Sequence, residues 1–369
     1  MRLTTRGGPR DLDQAIEMGE RSIDAFEALL REKATDDRRT NVGYSLHNQA
    51  MRLTTRGEPG DLDKTIEMGQ RSIDAFEALL REKATDTRRT DVGNSLYYQA
   101  FWLTTRGGPR DLDQAIEMGE RSITLREALL EEQATAERRD GMARALHNQA
   151  ERLMQRDGPG DLESAIAMGE RIITLCEALL EEQATAERRD GMASALNLQA
   201  DRLMQRDGPG DLDSAIAMGE RSITLREALL EEQATAERRD GMARALHNQA
   251  ERLIQRDGPG DLESAIAMGE RVITVFEALL EEQATDGRRD GMAAALHLQA
   301  IRLMQRDGPG DLESAIEMGQ RSIDAFEALL REKATDERRT YVADAVRLQA
   351  ERLRKRGDTG WSGWTKLWK

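Results

Sequence analysis

The side chains best suited to chemistry are few and evenly spread. The histidines are His47, His147, His247 and His297. All four occupy one place in a fifty-residue text, a copy or two apart, so they cannot gather on one metal ion, and no His/Cys cluster has ligand spacing. Cys176 is the single cysteine, which excludes an intrachain disulfide. Its column holds Phe26, Arg126 and Arg226 in other copies, so it reads as a tolerated substitution rather than a reactive thiol. The loop Gly158-Pro159-Gly160-Asp161 lacks the Lys-Ser/Thr that a phosphate-cradling loop needs. No Ser-His-Asp order can be assembled. The carboxylates recur on faces expected to be solvated and include Asp11, expected to cap a helix. These residues predict a non-catalytic protein with no metal and no cofactor.

The elements that position them come from the repeat. The fifty residues are written seven times between Met1 and Ala350, with the prolines Pro9, Pro59, Pro109, Pro159, Pro209, Pro259 and Pro309 in one column. A fixed period of this size marks a stacked array whose units bury apolar surface only against neighbours. Within one copy, Leu12, Ile16, Gly19, Ile23, Phe26 and Leu30 recur at helical spacing, which predicts a first helix from Asp11 to about Lys33. A second is predicted to cap at Thr35 and run to Arg56, with Val42, Leu46, Ala50 and Leu53 on its apolar face. Short linkers make successive helices antiparallel neighbours. The fold class is therefore all-α, a solenoid of seven tandem helical hairpins over 1–350, with residues 351–369 a partial repeat and a Trp-rich cap. Gly19 and its equivalents lie inside the first helix, each costing about 1 kcal/mol relative to Ala. Close approach of another helix would compensate; multiplication of one tolerated glycine by copying is the alternative.

Composition sets limits. The net charge is −15, which disfavours a nucleic-acid backbone as partner. The basic tail (Arg352, Arg354, Lys355, Arg356, Lys366 and Lys369) suits a helix C-terminus or an acidic partner. No run approaches the roughly 18 apolar residues of a membrane span, so no membrane insertion is expected. The start of the chain lacks the apolar core of a secretory signal. A cytoplasmic location is expected, with an extracellular one left open for a filament.

Leu146-x-x-Gln149-Ala150-x-x-Leu153, followed by Asp161-Leu162-Glu163-x-Ala165-Ile166, resembles the tetratricopeptide repeat. The loop-plus-start "RDGPGDLESAI" is closest to long bacterial and fungal arrays that stand beside CHAT proteases or nucleotide-binding signalling domains. The resemblance covers all seven copies and implies a right-handed superhelix. The period is longer than in that family, Gly169 stands where an aromatic residue is common, and no effector domain is present.

Some columns vary while their neighbours stay fixed. One holds Tyr44, Asn94, Arg144 and Arg244; a second holds His47, Tyr97, His147, His247, His297 and Arg347; a third holds Met51, Phe101, Glu151 and Glu251. Offsets of zero, three and seven put them on one stripe of the second helix. The family resemblance implies that this stripe lines a concave groove taking a peptide or a partner helix. Tyr44, Tyr97, Tyr98, Phe101 and Trp102 make its early part aromatic. A solvent-exposed face free to drift is the alternative, although the exposed columns of Arg21 and Glu32 do not drift. Two functions follow: a protein-interaction scaffold, or a chain that stacks head to tail on its own copies. The stacking contact would join Leu12, Ile16, Ile23 and Phe26 to Trp361, Trp364 and Trp368.

Overall fold

The computed structural model of the chain describes residues 9–357. Trp361, Trp364 and Trp368, expected to close the last helix pair or to dock on another chain, lie outside the described residues. Among the described residues there are fourteen α-helices and no strand. They fall in two compact units, one through Ala184 and one from Thr185. The first holds α1 (Pro9–Glu32), α2 (Asp36–Arg56), α3 (Asp61–Glu82), α4 (Asp86–Arg106), α5 (Asp111–Glu132), α6 (Ala136–Arg156) and α7 (Asp161–Glu182). The second holds α8 (Ala186–Arg206), α9 (Asp211–Glu232), α10 (Ala236–Arg256), α11 (Asp261–Glu282), α12 (Asp286–Arg306), α13 (Asp311–Glu332) and α14 (Asp336–Arg356). Within each unit every helix packs on the next in the chain. None is long and apolar enough to cross a membrane.

The two helix types begin by different means. Even helices start as the sequence predicts: Thr35 is extended, and its Oγ1 accepts a hydrogen bond from Arg38 N, as Thr85 does from Arg88 N. They stop where Gly57, Gly107, Asp157 or their equivalents turn left-handed, each cap N–H bonding the carbonyl four residues back. Odd helices depart from expectation. Their cap position is Gly60 or its equivalents, also left-handed, with no side-chain cap bond. The aspartate that follows is not a solvated cap. Asp61 is buried and accepts from Arg56 Nε (2.8 Å), Arg56 Nη2 (2.6 Å) and Glu58 N (3.0 Å). The same bidentate clip recurs at Asp111, Asp161, Asp211, Asp261 and Asp311, tying the end of one helix to the start of the next.

The predicted apolar face of α2 is the core face: Val42, Leu46, Ala50 and Leu53 are all buried. In the next copy Ile73, Phe76 and Leu79 of α3 pack with Val92 and Leu96 of α4. Each such side chain stabilises by roughly 2 kcal/mol on leaving water. Alanines make the second contact, where Ala100 and Leu103 of α4 meet Ala115 of α5. α1 begins two residues before Asp11, and Ile16 and Ile23 on it are buried, Ile23 against Val42 and Leu46. That corrects the expected stacking contact: Ile16 and Ile23 are already covered by their own unit, while Leu12 and Phe26 are half-buried.

The helical glycines are sites of close approach. A Cβ on Gly119 would lie 2.0 Å from Gln149 Oε1, and Gly19, Gly69, Gly219, Gly269 and Gly319 meet the equivalent glutamines in the same way. Gln149 is fully buried and donates Nε2 to Ile116 O at 3.0 Å. The missing methyl thus admits a side chain that bonds one helix to the backbone of another.

Ion pairs link successive copies. Glu82, Glu132 and Glu182 pair with Arg39, Arg89 and Arg139; Arg171 pairs with Glu127 and Arg271 with Glu227, both at 2.6 Å. These are the columns of Glu32 and Arg21. Residues of these columns in later copies bridge one copy to the next, which gives their constancy a structural reason, so it is no measure of how an unbridged surface drifts.

Candidate functional site

The variable stripe forms a cleft in the first unit. A cavity of about 900 Å³ is lined by Tyr44 of α2, by Asp91, Asn94, Tyr97, Tyr98 and Phe101 of α4, by Arg126 of α5 and by Arg138 and Arg144 of α6. Of the residues singled out in the sequence, Tyr44, Asn94, Tyr97, Tyr98, Phe101 and Arg144 are brought together there. Phe101 (47% exposed) and Tyr44 (43%) keep large apolar surface in solvent. The i, i+3, i+4, i+7 spacing of Asn94, Tyr97, Tyr98 and Phe101 gives one face of α4 four contact groups.

The walls are held by their own network. Tyr44 packs edge-on against Phe76 with ring centres 5.1 Å apart, and its hydroxyl donates to Asp91 Oδ1 at 2.7 Å. Tyr97 and Tyr98 pack edge-to-face at 5.3 Å. The Tyr97 hydroxyl accepts from Asn148 Nδ2 at 2.9 Å. The Arg126 guanidinium lies over the Tyr97 ring at 5.7 Å and donates from Nη2 to Asn94 Oδ1 at 2.7 Å. Desolvation raises the Asp91 carboxyl above its usual range, against the opposing effect of the Tyr44 bond. Desolvation, then the Asp91 bond, pushes the Tyr44 hydroxyl up to about 12, so it remains a donor at neutral pH.

Other predicted residues go elsewhere. Trp102, expected in the groove, is 1% exposed and packs where a Cβ on Gly69 would lie 2.6 Å from its ring. It is core, a correction that follows from its place one residue beyond Phe101, on the turned-in side of the helix. His47 stands behind the cleft with its ring 5.1 Å from Tyr98 and 6.2 Å from Trp102, and burial lowers its pKa. Met51 and His147 are half-buried and Glu151 is exposed, none of them lining the cavity.

In the second unit the same columns are largely occupied by ion pairs. Glu251 pairs with Arg302 at 2.5 Å, His297 Nε2 lies 3.4 Å from Asp344, and Arg347 bonds Asp344 and Glu351. Arg244 is exposed and His247 half-buried, its pKa lowered chiefly by burial. A smaller pocket of about 230 Å³ there, bordered by Asp190, Glu237 and Arg238, includes none of the predicted residues. Among the described residues no three His, Cys, Asp or Glu side chains converge as metal ligands would. Burial pushes the Cys176 thiol up to about 11, away from the thiolate that reactivity requires.

Arg126, Asp91 and Thr90 line the cleft but were not singled out by the pattern. The signal for Arg126 was present: its column holds Phe26, Phe76, Phe276 and Phe326, so Arg126 and Arg226 put a charge at a position that is apolar in the other copies.

Among the described residues, regular helix pairs recur seven times, the arrangement of a helical tandem repeat. The repeats are tetratricopeptide-like. Neither a family model nor a curated protein matches the sequence. Among solved structures, the S. pombe nuclear import adaptor Nro1 aligns with a TM-score of 0.54 and 10% identity, over 84% of this chain and 99% of that one. A circular tandem repeat protein with novel repeat topology aligns at 0.36 and 17% identity, over 95% of this chain and 86% of that one. A STAND protein with a tetratricopeptide repeat sensor, from Pyrococcus horikoshii, aligns at 0.33 and 11% identity, over 88% of this chain and 54% of that one. The likeness to Nro1 shows the fold alone, and the other two are too distant to bear on this chain.

Proposed function

We propose that this protein is a non-catalytic interaction scaffold whose α2–α4–α6 cleft takes an extended peptide or a partner helix. The observation that carries this reading is the joint exposure of Phe101 and Tyr44 on one cavity of about 900 Å³. Exposed aromatic side chains in a concave, polar-rimmed setting mark contact sites more often than idle surface. The adaptor role of Nro1 is compatible with a scaffold on this fold.

The test uses peptides selected from a displayed random library on the immobilised full chain, then titrated by fluorescence anisotropy. Phe101→Ala is expected to cost ~2 kcal/mol of binding, about thirtyfold in Kd, as truncation of a central aromatic contact does. Ile301→Ala, in the same column of the second unit, is expected to leave Kd unchanged. Equal effects of the two would remove the cleft assignment. Trp102→Ala is unsuited to this test because the residue is core.

Head-to-tail stacking of copies is the second reading, supported by the outer side of α1. Met18 is 57% and Leu29 37% exposed, whereas Leu79 and Leu129, in the column of Leu29, are buried. Light scattering across a hundredfold dilution tests it: Met18→Glu with Leu29→Glu should abolish any assembly seen for the unaltered chain. Assembly that persists in the double variant would rule this contact out.

A further inference from the structure

The repeat provides its own control for every charged group. In the second unit, Arg226 meets Asp190 at 3.2 Å, Arg252 meets Asp201 at 2.6 Å and Arg302 meets Glu251 at 2.5 Å. The first unit keeps the corresponding arginines, Arg126 and Arg152, and loses the acids. Thr90 stands at the place of Asp190, and Phe101 at the place of Asp201 and Glu251.

Among the described residues no carboxylate meets either arginine. Arg126 donates to Asn94 Oδ1 and, from Nε at 3.3 Å, to Ser122 Oγ. Arg152 donates to Thr104 Oγ1 at 3.1 Å and Gln149 Oε1 at 3.4 Å. Burial lowers the pKa of Arg152 only to about 10, so it stays charged at neutral pH. A guanidinium withdrawn from water without a counter-charge is unfavourable, and the face of Tyr97 supplies only part of what a carboxylate would. The other cations of the cleft have partners, Arg138 in Asp86 at 2.6 Å and Arg144 in Asp140. Of the acids that line the cleft, Asp91 is engaged by the Tyr44 hydroxyl and Asp86 by Arg138. Arg126 is thus the cleft's uncompensated cation, with the aromatic surface of Tyr97, Tyr98 and Phe101 beside it.

We propose that the cleft recognises an acidic side chain of an extended peptide: the carboxylate pairs with Arg126, replacing the missing Asp190 equivalent, and the neighbouring peptide residue lies on Phe101 and Tyr98. The inference rests on the peptide-cleft reading. A run of phosphates fits poorly, because Asp86, Asp91 and Glu137 line the same cavity and the chain carries −15 overall, whereas a single carboxylate meets one cation.

The test compares each library-selected peptide with its Asp→Asn or Glu→Gln counterpart, on the full chain and three variants. Thr90→Asp supplies the internal carboxylate that Arg226 has. Arg126→Phe installs the residue of the neighbouring copies. Arg226→Phe is the control in the second unit. The selected peptides are expected to share an acidic position whose amide version binds at least tenfold more weakly. That preference should vanish in Thr90→Asp and Arg126→Phe and persist in Arg226→Phe. Peptides captured without a shared acid, or an acid preference that survives both cleft variants, overturn the inference and leave the cleft reading standing. Capture of no peptide overturns both. Capture of a twenty-nucleotide oligo-dT that Arg126→Phe releases would assign the arginine to phosphate and overturn the peptide proposal.

Discussion

At Arg110 the backbone takes φ 86°, the left-handed geometry that the corresponding copies give to Gly60, Gly160, Gly210, Gly260 and Gly310. Only glycine adopts this geometry without a Cβ penalty, and a Cβ at Gly160 would meet no atom within 4 Å, so the cost at Arg110 is backbone strain rather than crowding. Arg110→Gly is expected to stabilise by ~1 kcal/mol; urea unfolding midpoints of the two proteins would show it, and an unchanged midpoint would count against local strain. Thr90→Asp belongs to the same scale. By pairing Arg126 as Asp190 pairs Arg226, it should leave stability equal or higher, so a loss of peptide binding could not be ascribed to unfolding.

At the element scale the odd helices hold a helix-breaking residue because another helix needs the space. Gly119→Ala gains helix propensity but places a methyl 2.0 Å from a buried Gln149 Oε1. Moving the glutamine would break its bond to Ile116 O. Overpacking of this kind costs ~1–3 kcal/mol, so the variant should melt earlier. In a Gln149→Ala background the same substitution should be neutral or stabilising, because the obstruction is gone. A double-mutant cycle by thermal melting measures that coupling, and simple additivity would defeat the account. The exposed ion pairs between copies contribute little singly, about 0–1 kcal/mol, and act mainly to hold register.

For the whole molecule the recurring Arg–Asp clip sets the response to acid. The guanidinium of Arg206 holds the Asp211 carboxyl down to about 2, and Arg256 and Arg306 do the same for Asp261 and Asp311. Each folded value lies below the unfolded carboxyl value of about 3.9. Their stabilisation is therefore fully present above about pH 4 and is lost as pH falls toward 2. Circular dichroism melts should show a steep fall in Tm across that window. Replacing the three aspartates by asparagine should lower Tm at neutral pH and flatten the acid dependence; an equally steep fall in that variant would place the acid sensitivity elsewhere.

Local pattern alone was enough to read the helices, the caps of the even ones and their antiparallel order. Spacings of three and four, the Thr35-type cap and the Gly-Pro stop act within a few residues of each other, so no tertiary contact is needed to read them. The aromatic stripe was legible for the same reason, since offsets along α4 decide that Tyr97, Tyr98 and Phe101 share a face. Packing between helices, by contrast, turns Trp102 inward, buries Asp61 in a clip, puts Gln149 in the space over Gly119 and covers Ile16 and Ile23. It also decided which arginines have a counter-charge. Compensation of a charge depends on the group that packing brings against it, here 36 residues away for Arg226 and 51 for Arg252. Local periodicity does not encode contacts at that separation.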